Sequence, residues 1–202
     1  MNPITDRWRT PRAQVRVLLE SLRIAPGPRV AVVDPFAGGG AVLDEARARG
    51  FRVLGYELEP GDVAGVKHGV DAFGLTRARV LEDADADTLV FVTNGPWSRQ
   101  FEVLELLGRL TRRRDGFACL VPCWFFGSSA RGRTLEATFG SRRVDFAYPA
   151  GNVSFEPPNG GTAGTYRHHT VWFCVGLVLR RRLLRPTTWR ESLGDERPIL
   201  PG

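Results

Sequence analysis

The chain has 202 residues, of which 43% are hydrophobic and 25% are charged, a composition typical of a globular domain. No apolar run approaches the roughly 20 residues that span a bilayer, and the N-terminal segment lacks the apolar core of a secretory signal. We therefore expect a soluble, cytoplasmic protein whose three cysteines stay reduced and which needs no metal in order to fold.

The net charge of +6 lies in the second half of the chain. Residues 1–100 carry 13 basic and 13 acidic side chains, whereas residues 101–202 carry 15 and 9. A one-sided basic field is typical of proteins that bind a polyanion, so we predict a nucleic-acid-binding surface; a merely solvated basic face is the alternative. The candidate phosphate contacts are seven arginines of this half: Arg112, Arg113, Arg114, Arg131, Arg133, Arg142 and Arg143.

The hydrophobic pattern predicts an alternation of strands and helices up to about residue 140. It opens with a helix for which Thr10 is the expected N-cap and Pro11 the first helical residue. In chain order there follow a buried strand at 29–34, a helix at 41–50, a strand at 51–57, short extended pieces within 63–73, a strand at 88–93, a helix at 101–110 and an extended segment at 117–122. This alternation predicts an α/β fold with a doubly wound, mostly parallel sheet.

The C-terminal part of the chain is organised differently. Two late strands are predicted at 141–149 and 170–179, and the Gly/Pro-rich loop 156–164 between them is either a lid, a nucleic-acid contact or a flexible connector. Residues 1–180 are expected to form one domain. Residues 181–202 are rich in proline and arginine, have little apolar periodicity, and are expected to form a loosely packed tail.

The segment Asp34-Pro35-Phe36-Ala37-Gly38-Gly39-Gly40 lies between the first predicted strand and its helix. Glycines let a backbone turn approach a ligand closely, and ligands of open α/β sheets bind at the carboxyl ends of the strands. The dinucleotide fingerprint G-x-G-x-x-G is absent, because Leu43 occupies the third glycine position. The Asp34 carboxylate would repel a pyrophosphate and suits a cation. A purely structural turn is the alternative.

Two further acids follow the next predicted extended segments. Glu57 closes the second strand, where one carboxylate can accept hydrogen bonds from both hydroxyls of a ribose. Asp71 follows the next extended piece, where it could accept a hydrogen bond from an adenine amino group. Each has an ordinary alternative, a surface carboxylate for Glu57 and a turn residue for Asp71.

The tetrapeptide Asn94-Gly95-Pro96-Trp97 directly follows the strand at 88–93. An amide oxygen can accept a hydrogen bond from the exocyclic amine of a base, and an indole can stack on the base. An ordinary turn has the same composition. The functional interpretation is favoured because this loop falls at the same predicted sheet edge as the three acids.

The remaining reactive side chains do not predict a second site. His168 and His169 are adjacent in an extended segment and no cysteine lies at ligand spacing, so we expect no metal site. No serine has the context of a hydrolase nucleophile. The aromatic run 124–126 is interpreted as core at a strand end, with one ring as a candidate wall of a base pocket.

Over about residues 9–175 the chain resembles the class I S-adenosylmethionine-dependent methyltransferases. It most resembles the amino-methylating, N6-adenine type DNA enzymes, whose catalytic loop reads N/D-P-P-Y/F/W. Residues 34–40 are similar to the family's motif I, Glu57 to its ribose-binding acid and Asp71 to its adenine-side acid. Thr10-Pro11 resembles the T-P opening that walls the methionine end of the cofactor. Gly95 departs from the family pattern, which has proline at that position.

This resemblance implies a seven-stranded Rossmann-like sheet with an antiparallel late strand and S-adenosylmethionine as the cofactor. It implies methyl transfer to an exocyclic amine of a nucleic-acid base, with adenine N6 in DNA preferred over RNA. The implied cofactor-binding residues are Thr10, Pro11, Asp34, Pro35, Phe36, Gly38, Gly40, Glu57 and Asp71, and the implied catalytic residues are Asn94, Gly95, Pro96 and Trp97.

Within the implied catalytic loop, the Asn94 side chain and the Gly95 carbonyl would accept the two amine hydrogens while Trp97 holds the ring. Two alternatives stay open. The chain could methylate an amine or amide in RNA or protein, or it could be a noncatalytic nucleic-acid-binding protein of this fold, with Gly95 as the trace of the lost chemistry.

Overall fold

The structure is a computed structural model that describes residues 6, 9–149, 153–155, 166–180 and 183–184. Its helices are α1 (Arg12–Ser21), α2 (Ala41–Arg47), α3 (Arg77–Ala84), α4 (Gln100–Leu110) and α5 (Ser129–Phe139). Its strands are β1 (Val30–Asp34), β2 (Arg52–Glu57), β3 (Val66–His68), β4 (Thr88–Thr93), β5 (Gly116–Pro122), β6 (Val144–Pro149), β7 (Val153–Phe155), β8 (Tyr166–His168), β9 (Thr170–Val175) and β10 (Leu183–Leu184).

One mixed sheet organises these elements, with the strand order β10-β6-β9-β5-β4-β1-β2-β3. All neighbouring strands are parallel except β9, which runs antiparallel to both β5 and β6. The predicted seven-stranded, mostly parallel sheet with an antiparallel late strand is therefore confirmed. The two-residue β10 adds a short edge strand, and β7 and β8 form a separate antiparallel pair.

The helices cover both faces of the sheet, as in a doubly wound fold. One core cluster joins the sheet to the apolar positions of α3, α4 and α5, and includes Val80, Leu104 and Phe139. The other lies on the opposite face and joins the sheet to α1 and α2, through residues such as Leu18 and Val42. In the part of the chain that the structure describes, no helix is long and apolar enough to cross a membrane.

The structure differs from the sequence prediction in three respects. α1 begins at Arg12, so Pro11 rather than Thr10 occupies the cap position, and no side chain caps the helix. The helices α3 and α5 were not predicted, because each buries few apolar side chains: Val80 and Ala84 in α3, and Phe139 in α5. The loop 156–164 and most of the expected tail lie outside the described residues, but Leu183 and Leu184 of that tail form β10.

Asp115 ties the amino end of the sheet together. It immediately precedes β5, is only 1% exposed, and accepts hydrogen bonds from the backbone N–H of Leu89 (2.9 Å) and of Arg112 (2.7 Å). The guanidinium of Arg77 forms an ion pair with it at 2.5 Å. One buried carboxylate thus joins the start of β4, the loop before β5 and the start of α3.

We predict that Asp115→Ala lowers the free energy of unfolding by about 3 kcal/mol, because it leaves buried donors and a largely buried cation unpaired. The matched control is Asp87→Ala, which removes a carboxylate from an exposed pair with Arg29 and should change stability little. Urea unfolding of the two variants measures the difference. Equal effects would contradict the assigned role of Asp115.

Candidate functional site

The strand order places a crevice at the carboxyl ends of β1 and β4. The chain winds from β1 outward to β2 and β3 on one side, and to β4 and β5 on the other, so β1 and β4 flank the topological switch point. Crevices at such points are where open α/β sheets bind their ligands. Asp34 closes β1, Glu57 closes β2 and Thr93 closes β4, so these three residues lie at this edge.

The glycine segment forms a tight turn between β1 and α2. Gly38 and Gly40 have φ angles of 48° and 79°, a left-handed conformation that residues with a side chain rarely adopt. At Gly40 there is also no space, because a Cβ atom would lie 2.7 Å from the Val63 side chain. The turn is anchored to β2 by a hydrogen bond from the Ala37 N–H to the Tyr56 carbonyl (2.9 Å).

The carboxylate of Glu57 links this turn to the end of β2. One oxygen accepts a hydrogen bond from the Gly38 N–H (2.8 Å), and the other accepts bonds from the N–H groups of Leu58 (2.9 Å) and Glu59 (3.2 Å). The side chain is partly exposed. Glu57 is therefore held in one orientation at the mouth of the crevice, with room for hydroxyl donors from a ligand.

Asp34 is a buried carboxyl beneath the same turn. It is 3% exposed, and one of its oxygens accepts hydrogen bonds from the Thr93 hydroxyl (2.6 Å) and the Phe36 N–H (3.1 Å). Burial raises the pKa of Asp34 from its usual value near 4 to about 7, although both hydrogen bonds favour the charged form. The nearby Glu57 carboxylate raises this pKa further.

Asp71 lies further along the crevice and begins a short turn. Its side chain accepts a hydrogen bond from the Phe73 N–H (3.0 Å), and its position is exposed. The Phe73 ring contacts the Phe36 ring of the glycine turn, with centroids 5.3 Å apart. The guanidinium of Arg99 lies 3.7 Å above the Phe73 ring, a contact that no motif in the sequence indicated.

The Asn94–Trp97 loop joins β4 to a 3-10 helix (Trp97–Arg99) that leads into α4. The indole N–H of Trp97 donates a hydrogen bond to the side-chain oxygen of Asn94 (2.9 Å). The Trp97 ring is partly buried and meets Phe155 edge-on, with centroids 5.2 Å apart. Trp97 therefore orients the Asn94 amide, a role that was not predicted. Its role as a stacking face for a base stays a prediction.

Gly95 is required by packing. A Cβ atom at this position would lie 2.8 Å from a methyl group of Val103 and 3.1 Å from the Phe36 ring. The Gly95 N–H also forms a hydrogen bond with the buried Cys119 thiol. The close approach of α4 and of the glycine turn favours a residue without a side chain here whether or not the loop is catalytic, so Gly95 does not by itself support the noncatalytic alternative.

The segment before α1 lies beside both loops. A Cβ atom at Gly39 would lie 3.5 Å from the side chain of Arg9, the residue before Thr10, so the Arg9 side chain lies beside the glycine turn. Further upstream, the Asp6 carboxylate accepts hydrogen bonds from the Ser98 N–H (3.1 Å) and hydroxyl (2.5 Å). The predicted position of Thr10 and Pro11 at one wall of the crevice is compatible with this geometry.

The structure divides the seven candidate arginines between two edges of the sheet. Arg112, Arg113 and Arg114 precede β5, and Arg142 and Arg143 precede β6, so these five lie at the amino ends of the strands. β5 alone is about 23 Å long at 3.3 Å per residue, and the Asn94 loop lies at its far end. Only Arg131 and Arg133, in α5, follow the carboxyl end of β5.

Arg142 serves the fold through its own hydrogen bonds. Its guanidinium donates to the Thr111 hydroxyl (2.6 Å) and to the Asp115 carbonyl (2.8 Å), which fixes the loop before β5. The five arginines at the amino edge are therefore not brought together with the candidate catalytic loop. Their contact with nucleic acid stays a prediction about a separate surface.

We predict that the stability of the wild type falls, relative to Asp34→Asn, as the pH rises from about 4 to about 7. In this interval the unfolded carboxyl has lost its proton while the folded one still holds it, so ionisation favours unfolding. The amide keeps an oxygen for the Thr93 and Phe36 donors. Unfolding free energies of both proteins across this range provide the measurement. Parallel pH profiles would show that Asp34 ionises normally.

We predict that Gly95→Ala lowers the free energy of unfolding by about 1–3 kcal/mol, because the added methyl group overpacks the space beside Val103. The control is the same change in a Val103→Ala background, where the methyl group has room. A double-mutant cycle should show a coupling that offsets most of the cost. Additive effects would mean that this contact does not determine the residue at position 95.

Comparisons with known proteins agree with the fold. The structure is similar to that of the 23S rRNA methyltransferase ErmE, with a TM-score of 0.57 and 12% identity over 89% of this chain and 71% of that one. It is also similar to the methyltransferase subunit of a type I restriction-modification system from Streptococcus thermophilus, with a TM-score of 0.58 and 13% identity over 88% of this chain and 46% of that one.

No family model and no curated protein matches the sequence. The similarity therefore lies in the architecture: the chain has the fold of the class I methyltransferases.

Proposed function

We propose that the protein transfers a methyl group from S-adenosylmethionine to an exocyclic amine of a nucleic-acid base, adenine N6 in DNA being the preferred target. The observation that carries this proposal is the convergence of Asp34, Glu57 and the Asn94 loop at the switch point of the sheet. The similar solved structures include an rRNA methyltransferase and a restriction-modification methyltransferase, which supports a nucleic-acid substrate over a protein amine.

The residues of the crevice fit the cofactor. Glu57 offers carboxylate oxygens to the ribose hydroxyls, and Asp71 offers one to the adenine amine. The glycines of the turn have no side chain to obstruct the approach of the methionine moiety, which Thr10 and Pro11 would wall. Asp34 lies beneath this turn, where a cation would favour its ionised form.

The cofactor supplies an activated methyl group on a sulfonium centre. The protein's part is to place the target amine in line with it and to expose the nitrogen lone pair, which is otherwise conjugated with the base. The Asn94 oxygen and the Gly95 carbonyl accept the two amine hydrogens. The bound cofactor would give up its methyl group to the amine nitrogen while the sulfur keeps the electron pair of the C–S bond, and the amine would lose one proton to solvent.

Trp97 supports this step by holding the amide. A carbonyl oxygen has two lone pairs, so the Asn94 oxygen can accept from the indole N–H and from the target amine at once. The indole bond fixes which way the amide points, so its oxygen needs no reorganisation when the base enters. A phenylalanine at this position would keep an aromatic ring and lose that control.

The target base must leave the duplex, because pairing hides its exocyclic amine. Extruding a base costs a few kcal/mol, and less where the strand is already single. Single-stranded and mismatched adenines are therefore the substrates of choice for a first assay. RNA adenine is the main alternative target.

We predict that Asn94→Ala slows single-turnover methylation of an adenine-containing strand by about 100-fold or more, because one of two preorganised acceptors is lost. Trp97→Phe should slow the chemical step about 5- to 10-fold while leaving KM unchanged, as expected for loss of one orienting hydrogen bond. Labelled cofactor with DNA and RNA strands, each with and without adenine, gives the measurement.

Near-normal activity of Asn94→Ala would assign the chemistry to another loop. An inactive wild type that binds both cofactor and strand would instead favour the noncatalytic alternative.

We predict that Glu57→Ala weakens binding of S-adenosylmethionine by about 1.5–3 kcal/mol, through loss of charge-assisted hydrogen bonds to the ribose. Glu59→Ala is the matched control, since it removes the same charge two residues away. Calorimetry with the cofactor and its demethylated product measures both. Absence of binding by the wild type, or equal affinity for NAD, would overturn the proposed cofactor.

A further inference from the structure

Trp124 lies exposed at the carboxyl end of β5. The residues that follow this strand form a 3-10 helix, Cys123–Phe126, in which Phe125 is 2% exposed and Trp124 is 56% exposed. The sequence analysis interpreted this aromatic run as core, with one ring as a candidate wall of a base pocket. Phe125 fulfils that prediction, whereas Trp124 turns its ring outward, which is uncommon for so large an apolar side chain.

Arg131 of α5 lies beside this ring. Its guanidinium carbon is 5.7 Å from the centroid of Trp124 and 5.2 Å from that of Phe125, both within the range of a cation–π interaction. A hydrogen bond to the Phe125 carbonyl (3.3 Å) holds the guanidinium in place. A cation is thus fixed next to an exposed indole.

A series of ring contacts leads from Phe125 to a second exposed aromatic side chain, Tyr148. Phe125 contacts Phe126 (5.4 Å), and Phe126 contacts Phe146 of β6 (5.3 Å). Phe146 in turn contacts Tyr148 at 6.4 Å, and Tyr148 is 50% exposed. Ring contacts thus link Phe125, which lies beneath the Arg131 guanidinium, to the exposed ring of Tyr148.

This surface lies at the same edge of the sheet as the Asn94 loop. β5 is parallel to β4, with Cys119 beside Thr93, and it runs three residues further, to Pro122. Those three residues extend β5 by about 10 Å, so the 3-10 helix that carries Trp124 begins at the same edge of the sheet as the Asn94 loop. Phe101 in the first turn of α4 also contacts Phe125, at 5.3 Å.

We propose that Trp124, Arg131 and Tyr148 form a stacking surface for unpaired nucleotides that flank the target base. The exposed rings offer π-faces to bases, and Arg131 offers a guanidinium to the phosphate between them, which is the combination that binds single strands without reading their sequence. The inference rests on the proposed function in one respect, namely that the substrate is a nucleic acid.

The surface also accounts for how a small protein holds its target strand. Five of the seven basic candidates lie at the opposite edge of the sheet, so they do not explain binding near the Asn94 loop. Trp124 and Arg131 follow the carboxyl end of β5, where they can contact the nucleic-acid strand that carries the target base. Stacking of neighbouring bases would compensate for part of the cost of unpairing them.

The test is the affinity of cofactor-free protein for labelled single strands of about 12 nucleotides, in DNA and RNA form, by fluorescence anisotropy. Trp124→Ala should weaken binding roughly 5- to 150-fold, whereas Trp124→Phe, which keeps a ring, should stay within about threefold of the wild type. Arg131→Ala should weaken binding. It should also make the log–log slope of affinity against salt concentration shallower, by the amount expected for about one lost phosphate contact. Arg52→Ala, which removes an exposed cation at the amino end of β2, is the matched control and should bind as the wild type does.

Abasic strands isolate the stacking contact. A single abasic position next to the target should cost the wild type about as much as Trp124→Ala does, and should cost Trp124→Ala almost nothing more. The proposal would be overturned if Trp124→Ala and Arg131→Ala both bound the strands with wild-type affinity. It would also be overturned if the wild-type protein self-associated and Trp124→Ala abolished that self-association without changing the affinity for the strands.

Methylation is measured separately, so the two proposals can fail independently. Trp124-dependent binding without any methyl transfer would uphold the surface and reject the proposed reaction. Methylation that Trp124→Ala leaves unchanged, together with unchanged strand affinity, would uphold the reaction and reject the surface.

Discussion

The hydrogen bond between the Thr93 hydroxyl and the Asp34 carboxyl joins the two strands that flank the switch point of the sheet. It crosses from β4 to β1 in the buried space beneath the crevice, and the Phe36 N–H adds a bond to the same carboxyl oxygen. The glycine turn continues directly from Asp34, and the Asn94 loop continues directly from Thr93. Together with the parallel pairing of β1 and β4, this short polar contact fixes the relative position of the glycine turn and the candidate catalytic loop. It lies in a buried environment, where such bonds are strong and their loss is costly.

Much of this arrangement could be predicted from the sequence because it depends on local signals. β-branched runs that end in an acid, followed by glycines, indicate strand and turn with little tertiary context. β4 occupies the predicted residues, and β1 and β2 each begin one residue later than predicted. Contacts between loops were not predictable in this way. The indole bond to Asn94, the packing that requires Gly95 and the position of Arg99 over Phe73 all depend on how separate elements meet.

The position of the positive charges in the fold could not be predicted from the sequence either. Counting residues along the chain places the basic excess in the second half, but it cannot tell which end of a strand an arginine occupies. A segment of seven extended residues separates the loop of Arg112 from the aromatic run that follows β5. Arginines that are close in sequence to a candidate site can therefore lie on the far side of the domain, and some of them, such as Arg142, are engaged by backbone carbonyls.

Arg99 connects the two halves of the crevice. It lies five positions after Asn94, its guanidinium rests on the Phe73 ring, and Phe73 lies two positions after Asp71. Any ligand that displaces or tightens this contact acts on the 3-10 helix at the end of the Asn94 loop. Any movement of that helix acts in turn on the Phe73 ring. Because linkage is reciprocal, a ligand bound beside Asp71 and a ligand bound beside Asn94 should each alter the affinity for the other by the same factor.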